Sequence, residues 1–520
     1  MRSETQNSRE SVAGAGWLCQ QPGAFGNLFE ERRNSVPADL RVIDSTFGWF
    51  KPKVLWQSRN DVIASSISDP VNDDRRRWVR EQRERPDVPK DFIIDRSDLN
   101  SFGFIVVGDP GEGDQSQFAL VPLLHTVGED TEFMVICSDV VYPAGDINEY
   151  LHKFYLPYQD YTKPIYAIPG NHDWYDGLNG FMVHFCGSEP SERSLGSNRL
   201  VRRLWRKAAK VRPEVLEYCR RLRPQLGPKV RQPNPYFVID TARVRLIGID
   251  TGITGEIDHE QGEWLREVSS DVPEKRKILL TGKPIYVNGE YHPGKVERNT
   301  GTTVDQIVCE PDNNYVAVVG GDIHNYQRYP VKVGDRTIQY IVSGGGGAYT
   351  SATHTIPRVG LLGPDEDEFR CYPLRGDSLS FYSRLYDRKY ASGSGEYYID
   401  PEQAAAYMAE RLGTTSTRDS DRRVIVSERT RQVAQEVFPV SGRRPSIRSY
   451  FFSRSGVRRG VLQHFFFSEF FDWNDPPLFK NFLRVQVTAD ELEIACYAAT
   501  GCQEHEESPQ VEDRVAISLK

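Results

Sequence analysis

The chain has 520 residues, of which 38% are hydrophobic and 27% are charged. This length predicts two or three structural units, and the composition is typical of a soluble globular protein. The formal net charge of −8 argues against a general nucleic-acid binder, and we expect no specific nucleic-acid site. No run of about 18 apolar residues occurs, so the sequence predicts no transmembrane segment.

Residues 1–97 are predicted to lie outside the main domain. Residues 1–40 are polar and lack the apolar region of a secretory signal, so we expect a disordered tail. In residues 41–97 the stretch DDRRRWVREQRERPD indicates a solvated helix with Trp78 on its inner side. The eight cysteines include no CxxC pair, and Cys137 and Cys496 lie inside apparent strands. Buried free thiols predict a reducing, cytoplasmic setting.

A repeated pattern begins at residue 102. Short apolar runs end in polar residues and alternate with helix-like segments, which is typical of buried strands in an α/β sheet. In such sheets, sites form at the carboxyl ends of the strands, so polar residues at all five ends predict one shared site. The runs are FGFIVVGD (102–109), FMVICSD (133–139), PIYAIPGNHD (164–173), KILLTGKP (277–284) and YVAVVGGDIH (315–324).

The strand ends carry the ligand types that hard or borderline metals require, namely carboxylate, phenol, amide and imidazole groups. Any one of these residues alone would more often cap a helix or serve as a structural histidine. Their joint occurrence at ordered strand ends favours a metal site. The candidates are Asp109, Asp139, Tyr142, Asn171, His172, Asp322 and His324.

Four short motifs resemble those of the calcineurin-like metallophosphoesterases. The segments GDPG (108–111), SDVVY (138–142), GNHD (170–173) and GDIH (321–324) are similar to the ordered motifs GDxG, GDxxY, GNH(D/E) and GHxH. The tyrosine makes this version most similar to purple acid phosphatases. The resemblance covers roughly residues 100–350 plus a terminal hairpin, and it implies an α/β fold, a four-layer αββα sandwich.

The resemblance implies one or two divalent or trivalent metal ions, drawn from Fe, Mn, Zn and Mg. Asp109, Tyr142 and His324 would bind the first metal. Asp139 would bridge both metals, and Asn171 would bind the second through its amide oxygen.

The implied reaction is hydrolysis of an anionic phosphate ester, most simply a monoester, by metal-bound hydroxide. His172, with Asn171 beside it, would face the substrate and protonate the departing alkoxide as a general acid. Asp173 would accept a hydrogen bond from His172 and fix its tautomer. Two alternatives stay open: phosphodiesterase or nucleotidase activity, and a catalytically weakened protein that binds a phosphate ligand.

Two residues depart from the family pattern, and both fall on ligands of the second metal. Lys283 stands where the family has a histidine after glycine, and Asp322 replaces the first histidine of GHxH. In one interpretation Asp322, Asn171 and Asp139 still hold a second metal, while Lys283 binds substrate phosphate as a point charge. In the other, the Lys283 ammonium replaces the second metal and pairs with Asp322 and Asp139, because an ammonium has no lone pair for a metal.

Two inserts are predicted to interrupt the domain. Residues 187–231 are strongly basic, and the spacing of Leu200, Leu204 and Ala208 predicts an amphipathic helix whose basic face is either solvated or attracts an anionic substrate. The aromatic-rich stretch 458–473 is predicted to be a lid packed over the core, with contact to a membrane surface or a partner as the alternative. The predicted organisation is a disordered tail (1–40), an N-terminal extension (41–97), a catalytic domain (98–355) with the basic insert (187–231), an insert or lid region (356–480), a terminal β-hairpin of the catalytic domain (481–502) and a tail (503–520).

Overall fold

The fold is described from a computed structural model of the chain. Among the helices of the described ranges, none is both long enough and apolar enough to cross a bilayer. The predicted aromatic lid at 458–473 lies outside those ranges. The structure describes residues 23–41, 51–67, 69–191, 203–223, 231–297, 301–360, 363–414, 424–437, 478–498 and 510–520.

Helices and strands alternate along much of the chain. The helices are α1 (Gly23–Ser35), α2 (Pro52–Gln57), α3 (Arg59–Ser66), α4 (Val71–Glu84), α5 (Gln115–Gly128), α6 (Asn179–His184), α7 (Pro213–Leu222), α8 (His259–Ser270), α9 (Val304–Cys309), α10 (Arg375–Tyr390), α11 (Pro401–Leu412) and α12 (Glu428–Val437). The strands are β1 (Ile93–Arg96), β2 (Phe102–Gly108), β3 (Thr131–Cys137), β4 (Ile165–Ile168), β5 (Phe237–Thr241), β6 (Val244–Ile249), β7 (Glu256–Ile257), β8 (Arg276–Thr281), β9 (Tyr286–Val287), β10 (Glu290–Tyr291), β11 (Lys295–Val296), β12 (Tyr315–Gly320), β13 (Tyr326–Val333), β14 (Arg336–Ser343), β15 (Arg370–Tyr372), β16 (Asn481–Val487), β17 (Glu491–Ala498) and β18 (Gln510–Ser518).

The strands form two large sheets. A six-stranded sheet has the order β18-β17-β16-β2-β3-β4, and an eight-stranded sheet has the order β1-β5-β6-β8-β12-β14-β13-β15. Strands β2, β3 and β4 are parallel in the first sheet, and β6, β8, β12 and β14 are parallel in the second. Each sheet therefore contains a block of parallel strands, on one side of the six-stranded sheet and in the middle of the eight-stranded one, whose carboxyl ends point the same way.

The main core lies between the two sheets. Phe104 and Phe133 of the first sheet stack with their ring centroids 5.1 Å apart, and they share a core cluster with Leu279 and Val318 of the second sheet. On the outer face of the first sheet, Ile105 and neighbouring residues pack with α5. Both faces of β2 are covered, which explains why its seven residues are all buried and read as one apolar run. The predicted α/β sandwich is confirmed.

Helix α4 forms where the charged stretch predicted it, and Trp78 is buried on its inner side. The charged residues of α4 are not all in solvent, however, because Arg75 is fully buried. The charge pattern along α4 could not show this, since the two acids paired with Arg75 are distant in sequence: Asp250 follows β6 and Asp258 precedes α8.

Two segments predicted as tails are ordered. Residues Gly23–Ser35 form α1, where Phe29 packs edge-on against Phe118 of α5 at 5.3 Å between ring centroids. Residues 510–518 form β18, which pairs antiparallel with β17. Both predictions were wrong for these residues because each segment is stabilised by an element distant in sequence, which its own composition does not reveal.

Of the helix predicted from Leu200, Leu204 and Ala208, only residues 203–204 are helical in the described part of that insert, and Leu200 lies outside the described residues. Residues 205–212 are irregular, and helix α7 begins only at Pro213. Side chains of other segments take up the backbone groups here: Arg206 N–H donates to Asn60 Oδ1 at 3.0 Å, and Arg212 N–H donates to Asn148 Oδ1 at 2.9 Å. These long-range bonds hold the chain away from a helical path.

Candidate functional site

Tight turns at the ends of three strands bring three carboxylates to one edge of the sandwich. Asp109 follows β2, Asp139 follows β3 and Asp322 follows β12, with φ values of 54°, 33° and 68°. Non-glycine residues rarely adopt positive φ, and such residues cluster at functional sites because the surrounding structure must hold them in place. The backbone therefore bends sharply to place these acids together.

The charges of these three carboxyl groups affect one another's pKa values. Burial raises the pKa of Asp109 well above its usual range, and the neighbouring Asp139 raises it further. Burial also raises the pKa of Asp139, and Asp322 adds to the rise. Burial alone would raise the pKa of Asp322, but its ion pair with Lys283 lowers that pKa overall. Only Asp322 thus has a cation paired closely enough to lower its pKa, whereas the pKa values of Asp109 and Asp139 stay raised.

The residues predicted for the first metal converge. The Tyr142 hydroxyl lies 3.0 Å from His324 Nε2 and donates to Asp109 Oδ1 over 3.3 Å. Burial lowers the pKa of His324 to about 3, so its imidazole is neutral and can act as a ligand. Among the described residues, Asp109 Oδ2 is buried without a hydrogen-bond partner. The set therefore presents unsatisfied ligand atoms.

The position predicted for the second metal holds a different arrangement. The Lys283 ammonium donates to Asp322 Oδ1 at 2.6 Å. Burial would lower the pKa of Lys283, but Asp322 raises it overall, so the ammonium is protonated at neutral pH. The Asn171 amide lies beside the same acids: its nitrogen can donate to Asp322 Oδ1 at 3.1 Å and to Asp139 Oδ2 at 3.2 Å while its oxygen accepts from Tyr175.

His172 is held on several sides. Its Nδ1 lies 2.7 Å from the Pro143 carbonyl oxygen, which can only accept, so Nδ1 carries the proton of the neutral ring. The ring packs between Tyr142 and Tyr175, with centroids 4.7 and 4.6 Å away. Its backbone N–H donates to Asp139 Oδ1 at 2.8 Å. The other ring nitrogen, Nε2, is the one without the proton in this tautomer.

The predicted bond between His172 and Asp173 is wrong. Asp173 Oδ2 accepts from the backbone N–H groups of Val140 and Gly170, both at 3.0 Å, and its Oδ1 is buried without a hydrogen-bond partner. The 3₁₀ turn Asp173–Asp176 starts at this residue and directs the carboxyl group towards the neighbouring loop. Burial raises the pKa of Asp173 to about 8, with a contribution from Asp139. The Pro143 carbonyl takes the role predicted for Asp173.

Sequence comparison now identifies the domain. Residues 102–326 match the sequence model of the calcineurin-like phosphoesterases. The chain contains a calcineurin-like phosphoesterase domain. This confirms the resemblance drawn from the motifs, and it supports metal-dependent hydrolysis of phosphate esters in general terms.

Solved structures similar to the chain carry low identities. They include purple acid phosphatase PPD1 from yellow lupin (Lupinus luteus) seeds, with 11% identity and a TM-score of 0.38 over 81% of this chain and 55% of that one. PhoD has 8% identity and a TM-score of 0.35 over 81% of this chain and 70% of that one. GAP50, the anchor in the inner membrane complex of Plasmodium, has 13% identity and a TM-score of 0.33 over 52% of this chain and 81% of that one. The chain thus spans 55% of the lupin enzyme's length. No curated protein matches the chain.

The phosphoesterase domain has residues that can bind a metal, although they do not form a cluster of acidic, cysteine and histidine side chains alone. Within the described ranges, no three His, Cys, Asp or Glu side chains are arranged as a metal-binding group. The first-metal set instead combines one Asp, one Tyr and one His, and the second carboxylate oxygen of that Asp, Asp109 Oδ2, is buried without a hydrogen-bond partner. Among the described residues, Asp109 and Asp139 form no ion pair, whereas Asp322 is paired with Lys283, so the two unpaired carboxyl groups suit a bound cation. The donor set therefore fits one metal.

Two residues that hold the phosphoesterase site were missed from the sequence. Tyr175 fixes the Asn171 amide through its hydroxyl and packs on His172. Thr251, at the end of β6, accepts from the Lys283 backbone N–H at 3.0 Å. Tyr175 lies four residues after Asn171 and could have been read as part of that motif. Thr251 carries no comparable local signal.

Proposed function

We propose that this chain hydrolyses phosphate esters, most simply monoesters, at a centre with one metal ion and with Lys283 in place of the second metal. The observation that carries the proposal is the 2.6 Å ion pair between Lys283 Nζ and Asp322 Oδ1. An ammonium engaged in this way offers no lone pair to a metal. The family pattern has second-metal ligands at both positions, so the ammonium would supply positive charge in place of that cation.

Asp109, Tyr142 and His324 would hold the metal, with Asp139 beside them. Fe, Mn, Zn and Mg all suit a set of oxygen and imidazole ligands. Such an ion, when bound, acts as a Lewis acid and generates the nucleophile that attacks phosphorus.

His172 would act as the general acid. Because Nδ1 is engaged with the Pro143 carbonyl, protonation of the ring places the mobile proton on Nε2. Donation of that proton to the departing oxygen neutralises the alkoxide as the P–O bond breaks. Such help contributes about 10²–10⁴-fold in rate.

Lys283 would bind the phosphate as a point charge. Its side chain keeps 27% of its surface exposed, which suits contact with a ligand while the ammonium stays paired with Asp322. Three donors on one ammonium permit both contacts. A dianionic monoester would gain most from this charge.

The test combines metal content with turnover. Protein purified without chelator and re-equilibrated with Mn²⁺ is analysed by elemental mass spectrometry, and phenyl phosphate and diphenyl phosphate, which share one leaving group, are offered as substrates. We expect close to one metal per chain, faster turnover of the monoester, and a loss of about 10²–10⁴-fold in His172→Ala with metal retained.

Other outcomes would contradict parts of the proposal. Close to two metals per chain would favour the alternative in which Asp322 and Asn171 bind a second metal. Faster turnover of the diester would favour phosphodiesterase or nucleotidase activity. Wild-type protein that binds metal and inorganic phosphate without turning over either ester would be a phosphate-binding protein.

We further propose a reducing, cytoplasmic setting. Its support is that the cysteines within the described residues are all free thiols.

A further inference from the structure

Arg75 of α4 is a fully buried cation in the N-terminal extension. Its Nε donates to Asp250 Oδ2 at 2.8 Å, and its Nη1 donates to Asp258 Oδ2 at 3.1 Å and to Asn72 Oδ1 at 2.7 Å. The guanidinium also lies 5.6 Å from the ring centre of Trp174. Buried ion pairs are a weak source of stability compared with apolar packing, which raises the question of what this one positions.

One branch of the network leads to His172. Asp250 Oδ1 accepts from Trp174 Nε1 at 3.0 Å. Trp174 lies two residues after His172, and its backbone N–H donates to the Asn171 carbonyl at 3.2 Å. The carboxylate of Asp250 thus joins Arg75 on one oxygen to the catalytic turn on the other.

A second branch leads to Lys283. Thr251 follows Asp250 directly, and its Oγ1 accepts from the Lys283 backbone N–H at 3.0 Å. The Lys283 side chain then reaches Asp322. A shift of the 250–251 turn would therefore displace the His172 turn and the backbone of Lys283 together.

The extension contacts the same turn at two further points. Trp78 Nε1 donates to the Gly177 carbonyl at 2.9 Å, and Asn60 Nδ2 donates to the Tyr175 carbonyl at 2.7 Å. These contacts show that α3 and α4 are built against the 174–177 segment.

We propose that Arg75 is a positioning residue that couples the N-terminal extension to the two groups that act on the substrate, His172 and Lys283. The inference rests on the proposed function for the roles of those two groups. The residues that would hold the metal, Asp109, Tyr142 and His324, are not among the hydrogen-bond and ion-pair partners of Arg75 given above. Loss of Arg75 should therefore lower turnover without removing the metal.

The experiment uses the full chain with Arg75→Met and a matched control, Arg77→Met. Arg77 lies on the same helix, and among the described residues its ion pairs are with Asp74 and Glu81 of that helix, while its guanidinium lies 5.4 Å from the centre of the Trp78 ring. With phenyl phosphate, we expect Arg75→Met to lower kcat at least tenfold, by more than KM rises, at unchanged metal content. Arg77→Met should stay within twofold of wild type. Wild-type kcat in a folded Arg75→Met chain would overturn the proposal.

Two milder variants keep the proposal testable if Arg75→Met does not fold. Trp174→Phe removes the bond to Asp250, and Thr251→Val removes the acceptor for Lys283, while Arg75 keeps both carboxylates. We expect at least a threefold loss of kcat in each variant. Wild-type kcat in both would overturn the coupling.

A readout independent of turnover separates this proposal from the proposed function. In protein labelled with 5-fluorotryptophan, the ¹⁹F resonance of Trp174, assigned with Trp174→Phe, should shift in Arg75→Met and stay in place in Arg77→Met. A wild-type chain without turnover would overturn the proposed function alone. An unshifted Trp174 resonance in Arg75→Met would overturn the coupling.

Discussion

Lys283 and Asp322 form a 2.6 Å ion pair at the position where the family pattern has two histidines. The two departures compensate each other, because either residue alone would leave a charge without its partner at this site. Two neutral imidazoles are thus exchanged for a cation and an anion of equal charge. The pair also explains why the pKa of Asp322 is lowered whereas those of Asp109 and Asp139 are raised.

Restoring both histidines should restore the second metal. We expect Lys283→His combined with Asp322→His to raise the Mn²⁺ content from about one to about two per chain, because both substitutions replace the ion pair with neutral imidazole ligands. Elemental mass spectrometry measures the change. Lys283→Met is the control: it should not raise the metal content, and it should lose about 1–3 kcal/mol of unfolding free energy by leaving Asp322 unpaired. An unchanged metal content in the double variant would contradict the one-metal centre.

The role of His172 should depend on the leaving group. Phenolate is a poor leaving group that needs a proton, whereas p-nitrophenolate departs readily without one. We expect His172→Ala to lose about 10²–10⁴-fold in kcat/KM with phenyl phosphate and about tenfold or less with p-nitrophenyl phosphate. Steady-state kinetics with the two esters measure the difference. Equal losses on both would show that His172 binds substrate without acting as an acid.

Asp173 should tolerate an amide but not a truncation. Its Oδ2 accepts from Val140 and Gly170 N–H groups, and an asparagine oxygen can accept the same two bonds. We expect Asp173→Asn to keep kcat within about threefold, while Asp173→Ala loses about 2–4 kcal/mol of unfolding free energy by leaving two buried donors unpaired. Kinetics and urea unfolding measure these effects. A loss of activity in Asp173→Asn as large as in His172→Ala would restore the predicted carboxylate–histidine pair.

Acid should weaken the fold through His184. Burial lowers the pKa of this residue from 6.5 to about 4, in a position where its ring stacks on Tyr150 at 4.3 Å and its Nε2 lies 2.9 Å from the Ile147 carbonyl. The unfolded chain takes up the proton first, so the stability contributed by neutral His184 is present above pH 6.5 and is lost as the pH falls towards 4.

The size of this effect can be isolated by substitution. We expect His184→Gln to flatten the pH dependence of the unfolding free energy by about 2 kcal/mol between pH 6.5 and 4. Urea titrations at several pH values measure it. Parallel curves for wild type and variant over that range would mean that His184 titrates normally.

Local patterns carried a large part of this protein's description. The apolar run of β2 was legible because both faces of that strand are covered, and the GNHD motif located Asn171 and His172 because their spacing is set along the chain. Even the two unusual residues, Lys283 and Asp322, stood out by comparison with the family pattern. Strand identity, fold class and the candidate ligands all depend on neighbours within a few residues.

Contacts between distant segments decided the rest. The pairing of Lys283 with an acid depended on Asp322, 39 residues away in sequence. The burial of Arg75 depended on Asp250, 175 residues away. The direction of the Asp173 carboxyl group likewise follows from how the loop after β3 packs against the turn after β4. Periodicity and motif spacing describe one stretch of chain at a time, whereas ion pairing and burial arise only when the two sheets and the N-terminal helices pack together.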